Sequence, residues 1–170
     1  MDPFQALMDF LFQYSTDPII YSVLFFIYGI LAAVFLPIPV ELGLIWSPAT
    51  PFFVKALILG AGKCVGSILV FYLGIRVEPM VRRWERWPWF TWFVEKSEKL
   101  VQRFGYVGLL ILLSIPGMVD TIPIYLFSIF NKEGRVLEMR YFALVNFIGG
   151  VIRAWSLFIL LEFWGINLFG

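Results

Sequence analysis

Four ionisable side chains stand inside long apolar stretches: Glu41, Lys63, Asp120 and Arg153. Each acid closes a proline break. "PIPVE" runs from Pro37 to Glu41 and "PGMVD" from Pro116 to Asp120, both of the form Pro-x-x-Val-acid. Each cation closes a Gly-x-x-cation tetrapeptide further on, "GAGK" ending at Lys63 and "GVIR" at Arg153. A charge at bilayer depth costs ~2.5–3.5 kcal/mol on insertion scales, so such residues pair with one another and mark functional positions. Two chemistries are open to the set. Arg153 offers a planar fork and Lys63 a point charge to a phosphate group. Glu41 and Asp120 can each release a bound cation on protonation, a device for proton coupling. The competing reading is two ion pairs that only fix the halves of the protein together. Buried pairs are often no more stabilising than apolar packing, which favours the functional role.

These residues recur in one order: apolar arm, proline break with acid, short apolar arm, then a span holding one cation. Pro37 and Pro39 break the first unit. Pro116, Gly117 and Pro123 break the second, within "SIPGMVDTIP". The short arms cannot cross ~30 Å of hydrocarbon at ~1.5 Å per residue. Each broken segment is therefore expected to enter the membrane and return, with its irregular backbone covered by protein or water. Such a hairpin adds no net crossing and the span after it adds one. The second unit is then expected to lie upside down relative to the first. The expected fold class is an all-α polytopic membrane protein, an inverted repeat of a re-entrant helical hairpin plus a transmembrane helix. Residues 19–36 are long enough to span alone, which leaves the first arm open between a full span and a hairpin arm.

Composition points to lipid as the solvent. Of 170 residues, 61% are hydrophobic and 19% aromatic, against ~45–50% apolar in soluble domains. We read one membrane domain over 1–170: an N-terminal amphipathic helix at 1–17, a first repeat at 18–77, an aromatic and basic linker at 78–103, a second repeat at 104–161 and a tail at 162–170. The first helix carries Phe4, Leu7, Met8, Leu11 and Phe12 at helical spacing. Asp17-Pro18 is a start signal for the next helix. Apolar stretches cover 19–36, 40–46, 52–77, 105–130 and 141–161. Trp84, Trp87, Trp89 and Trp92 with Arg82, Arg83 and Arg86 form an expected belt at the lipid headgroups.

Charge orients the arrangement. Segment 76–103 holds seven of the 13 Lys/Arg and segment 131–140 three more. An inverted repeat puts both on one side, leaving Lys55 with Asp2, Asp9, Asp17 and Glu162 on the other. The positive-inside rule then places loops 76–103 and 131–140 in the cytoplasm and both termini outside a cell membrane. No basic n-region or small-residue cleavage site marks a removable signal peptide.

Several function classes lack their chemistry. The chain has no histidine and one cysteine, Cys64, so no Cys/His zinc site or internal disulfide is expected. No nucleophile–base pair or glycine-rich phosphate loop stands out, so no enzyme, metal or cofactor is expected. A net charge of +1 gives no footprint for nucleic acid. Gly62-x-x-x-Gly66 permits close helix approach. Asn146 and Ser67 are open to lining a path or to hydrogen-bonding between helices, and the second is expected.

These motifs resemble the DedA superfamily, also called the VTT or SNARE-associated domain, over 19–161. The resemblance rests on "FLPIPVE", "GAGKCVGSILVFYLG" and "FGYVGLLILLSIPGMVDTIP". It is nearest to the YqaA-like branch, whose proline, aspartate and later arginine match Pro116, Asp120 and Arg153. Glu41 matches the family's acidic position in the first hairpin. The better-studied bacterial members carry "RF-x-P-x-x-R" in the second hairpin. Leu113 and Val119 stand in place of those arginines here, so a phosphate would rest on Arg153 and Lys63. The resemblance implies paired re-entrant hairpins and transport of lipids such as phospholipids or polyprenyl phosphates. The leading expectation is a scramblase or flippase for a phosphate-headgroup lipid, with protons and a second copy of the chain as further candidate partners. The alternatives are a proton-coupled exporter of a small ion or cationic compound, and a non-transporting membrane scaffold.

Overall fold

The computed structural model describes residues 9, 12–35, 41–45, 47–83, 88–131 and 137–164. Its main elements are helices α1 Pro18–Val34, α2 Glu41–Ile45, α3 Phe52–Arg83, α4 Pro88–Ser114, α5 Thr121–Ile129 and α6 Met139–Phe163. No strand occurs among the described residues. Phe52–Gly74 of α3 and the whole of α6 are long and apolar enough to cross a membrane. Polarity is arranged to suit an apolar surrounding. Arg153, Lys63, Ser67 and Asn146 are fully buried, while Ile19, Phe53, Leu69, Ile148 and Ile159 face outward. A fold in water normally does the reverse with its charges.

Helix α1 begins where Asp17-Pro18 directs it. Asp17 Oδ1 accepts from the Ile19 and Ile20 amides at 2.9 and 3.1 Å, and Pro18 at the first position needs no amide partner. Helices α1 and α3 run in the same direction. Gly62 lies against Phe26 and Gly29, and Gly66 against Ile30 and Ala33. The chain between them must therefore come back. The Tyr21 hydroxyl donates to the Gly43 carbonyl, and Ser47 Oγ donates to the Ser15 carbonyl at 2.7 Å. Lys55 Nζ, in the first turn of α3, donates to the Leu44 and Ser47 carbonyls at 2.6 and 3.0 Å. Gly43 and Ser47 thus lie beside Tyr21 and Ser15, at the level where α1 begins. Lys55 itself is buried.

The α1–α3 seam depends on glycine. A Cβ on Gly62 would sit 2.8 Å from the Phe26 carbonyl oxygen and 3.1 Å from Gly29 Cα. Both are backbone atoms, so neither can swing aside. Gly62→Ala is expected to push the helices apart and cost about 1–3 kcal/mol. A thermal melt of the purified variant checks this; an unchanged Tm would mean that the seam relaxes freely.

The second half also reverses its course. Helix α4 bends at Gly105, whose φ of +46° lies in the region open mainly to glycine. Beyond the bend, residues 106–114 run alongside α6 in the same direction. Tyr106 meets Tyr141 with ring centroids 5.8 Å apart, and Leu113 lies against Gly149. A turn with Pro116 second and Gly117 third, at φ +76°, then reverses the chain. Helix α5, nine residues long, leads back to Asn131. Asn131 Oδ1 accepts from the Leu137 amide at 2.6 Å, and Nδ2 donates to its carbonyl at 2.7 Å. Nine helical residues rise only ~14 Å, about half of a ~30 Å hydrocarbon layer.

The two halves meet along α3 and α6, which run in opposite directions. Phe52 touches Trp155 and Phe158, Gly60 touches Phe147 and Val151, Gly150 touches Lys63, and Phe71 touches Phe142. Each short return arm packs across the seam. Ser128 of α5 donates to the Val70 and Phe71 carbonyls of α3 at 2.9 and 3.2 Å. Leu44 of α2 shares an apolar cluster with Ala154 and Leu157 of α6.

Some expectations need correction. Segment 78–103 is helical over most of its described length. Helix α3 continues to Arg83 and α4 starts at Pro88, because Arg, Glu and Met there are good helix formers and Pro88 suits a first position. Pro123 does not break the hairpin. It sits in the first turn of α5, where the amide it lacks would have no helical acceptor. Most of the amphipathic helix at 1–17, the breaks at Pro37 and Pro39, residues 132–136 and the tail from 165 lie outside the described residues.

Candidate functional site

Asp120 stands at the end of the Pro116–Gly117 turn and N-caps α5 without using its side chain on the helix. The carboxylate can therefore reach across the seam. Lys63 projects from the middle of the apolar part of α3, the twelfth of its 23 residues. Arg153 projects from near the middle of α6. All three side chains are at most 2% exposed.

They converge on the carboxylate. Lys63 Nζ lies 2.8 Å from Asp120 Oδ2. Arg153 Nη1 donates to Asp120 Oδ1, and Nη2 donates to the Met118 carbonyl in the turn itself. Glycines make room for this. A Cβ on Gly150 would sit 3.0 Å from Lys63 Cδ and 3.1 Å from Gly60 Cα, so Gly60 and Gly150 let the two backbones close while the lysine stem passes. The second turn is tied to the first hairpin as well. Thr121 Oγ1 donates to the Ala32 carbonyl at 3.1 Å and the Tyr125 hydroxyl to the Val34 carbonyl at 2.9 Å.

Three of the four predicted charges therefore meet. Glu41 opens α2, but its side chain lies outside the described residues. Among the described contacts one acid meets both cations, each from a different half. The described trio carries two positive charges against one negative. Comparisons with family models, curated proteins and solved structures find no match to this chain.

The other predicted residues fall apart from this centre. Trp92 is 62% exposed with Lys96 Nζ over its ring at 5.9 Å, an arrangement suited to a headgroup belt. Arg82, Arg83 and Trp89 lie on helices, with side chains outside the described residues. Trp84, Arg86 and Trp87 are also outside them. Ser67 and Asn146 do not bond across helices as expected. Ser67 Oγ donates to the Cys64 carbonyl at 2.8 Å and Asn146 Nδ2 to the Phe142 carbonyl at 2.8 Å, each within its own helix. No set of three metal-binding side chains occurs among the described residues. The Met118 carbonyl was missed because a backbone group leaves no trace in residue type. Lys55 was missed because its partners are carbonyls too.

Proposed function

We propose that this chain is an integral membrane transporter that moves a phosphate-headgroup lipid between leaflets, with Lys63, Asp120 and Arg153 as its binding centre and Glu41 as a fourth member. The observation that carries this is the buried meeting of two cations, one from the middle of each of two oppositely directed spans, at a carboxylate on a chain break. A group that binds there is reached equally by both halves. In this reading residues 18–47 and 106–131 are re-entrant hairpins, each followed by a transmembrane helix, and the halves form an inverted repeat. Supporting it are the parallel course of α1 and α3, the parallel course of 106–114 and α6, and the antiparallel course of α3 and α6. Swapping Arg153 and Lys63 between Asp120 and a lipid phosphate is the transport step, and protonation of an acid is the route to coupling. The resemblance of "FLPIPVE" and "SIPGMVDTIP" to the DedA superfamily agrees with this function.

The test is leaflet exchange of a labelled phospholipid or polyprenyl phosphate in reconstituted liposomes, with and without a pH gradient. Exchange above protein-free vesicles is expected, and at least a tenfold loss in Glu41→Gln and in Arg153→Ala. Uptake of a soluble cation without lipid exchange would replace this reading by an exporter; neither activity would leave a scaffold. Topology is checked separately. Single cysteines replacing Phe90 and Arg135 on a Cys64→Ala background are expected to react with an impermeant thiol reagent from the same, cytoplasmic side. Labelling from opposite sides would overturn the inverted repeat.

A further inference from the structure

The first part of α4, residues 88–104, carries three cations that neither the seam nor the buried trio uses. Its level is set at its far end. Gly105 lies against Leu137, and the Tyr106 hydroxyl accepts from the Glu138 amide at 2.6 Å. The bend at Gly105 therefore stands where α6 begins at Met139. From the bend the helix lies along the protein: Val101 and Ser97, one and two turns back, are both buried. Its outward side is ordered. Trp92, Lys96, Lys99 and Arg103 are all exposed and follow one another at i, i+4, i+7 and i+11, a single stripe at about 3.6 residues per turn. Leu100 and Phe104, 38% and 48% exposed, flank the stripe on one side. Glu95 and Gln102, both exposed, fall on the other, and by register so does Glu98, the second acid of this helix. Lys96 Nζ stands over the Trp92 ring at 5.9 Å and Arg103 Cζ over the Phe104 ring at 5.7 Å. No acid pairs with Lys96, Lys99 or Arg103 among the described residues.

We propose that this face rests on the bilayer surface and binds the phosphates of anionic phospholipids through Lys96, Lys99 and Arg103. A run of charge on a helix is commonly just a solvated face. Here the order across the helix, apolar then cationic then acidic, is the order of media met on leaving a bilayer: hydrocarbon, phosphate, water. Leu100 and Phe104 then reach the acyl chains, the three cations meet the phosphates, and Glu95 stays in water. The long stems of Lys and Arg suit this, since they lie along apolar surface while the charged head reaches a polar layer. Trp92 has the amphipathic ring favoured at that level. Charge complementarity selects the lipid. Unpaired cations favour a headgroup with net negative charge over a zwitterionic one, whose own ammonium group competes for the phosphate. The inference rests on reading the chain as an integral membrane protein with this end at the headgroups, and is independent of transport.

The test uses the full chain in phosphatidylcholine vesicles with spin-labelled phosphatidylglycerol or phosphatidylcholine as probe. The fraction of each probe immobilised at the protein is read by electron paramagnetic resonance. Wild type is expected to favour the glycerol lipid by about three- to tenfold. The triple variant Lys96→Gln, Lys99→Gln, Arg103→Gln is expected to show no preference. So is wild type in about 0.5 M salt, where screening acts over roughly 4 Å, a check that needs no variant. A preference that survives both changes belongs to the buried centre and overturns the proposal, as does wild type with none. The roll of the helix is checked separately. Spin labels on Leu100→Cys and Glu95→Cys, each on a Cys64→Ala background, are expected to differ: the first relaxed mainly by lipid-soluble oxygen, the second by a water-soluble nickel chelate. Equal exposure of both to the chelate overturns the proposal. A chain that does not incorporate into vesicles removes the membrane reading and this inference together. Lipid exchange on the triple glutamine variant reports on transport alone.

Discussion

Asp120→Asn is expected to lower the stability of the protein by about 3–5 kcal/mol, the usual cost of removing one partner from a buried ion pair, and to abolish lipid exchange. The substitution keeps the shape of the side chain and changes its charge alone. The new amide would still offer one carbonyl oxygen, but Lys63 and Arg153 would lose their shared counter-ion at 0% exposure. Their mutual repulsion in a poorly screened interior then acts against the very seam that holds the two halves together. The Arg153 contact to the Met118 carbonyl would remain, so the turn itself is expected to stay formed. Removing a stranded cation should help: Asp120→Asn with Lys63→Met is expected to recover part of the lost stability, a coupling that a double-mutant cycle measures directly. Thermal melts and size-exclusion profiles in detergent read the effect. A wild-type melt for Asp120→Asn would mean that Asp120 is not the counter-ion on which the two cations depend.

Much of this centre was legible in the sequence, because isolated charges in apolar stretches have few places to go. The Pro-x-x-Val-acid and Gly-x-x-cation patterns singled out Asp120, Lys63 and Arg153, and the proline breaks explained how a carboxylate comes to lie opposite the middle of two spans. Helix limits were legible where local chemistry is strong. Asp17-Pro18 starts α1, and the apolar stretch at 141–161 is α6 with two residues more at each end. What was not legible depends on three-dimensional register. That both cations choose Asp120 follows from the Gly60–Gly150 crossing, which brings the lysine stem past α6. That Pro123 is helical follows from where the α5 cap falls, three residues earlier. Backbone acceptors such as the Met118 and Leu44 carbonyls are invisible in composition, and with them the reason for burying Lys55.

The triple replacement Lys63→Met, Asp120→Leu, Arg153→Met separates a binding centre from a structural lock. The side chains chosen approximate the volumes removed and carry no charge, so none of the three is left facing a lost partner within the trio when all change together. Replacing a compensated buried charge cluster by packed apolar residues is commonly neutral or stabilising, by about 1–4 kcal/mol, even where loss of one member is severe. The triple variant is therefore expected to melt at or above the wild-type temperature, in contrast to Asp120→Asn alone. The seam supports this: Gly60 and Gly150 already hold α3 and α6 in close backbone contact, and the Phe52–Trp155–Phe158 cluster closes one end without any charge. If the trio only locked the fold, the variant would keep whatever activity the protein has. If it binds the phosphate, lipid exchange is expected to fall to the rate of protein-free vesicles while the folded protein remains in the membrane. Two measurements on one sample, a melt and an exchange rate, thus divide the readings. Stable and inactive marks a site, stable and active marks a lock, and an unstable triple variant would show that packing at this depth needs the charges themselves.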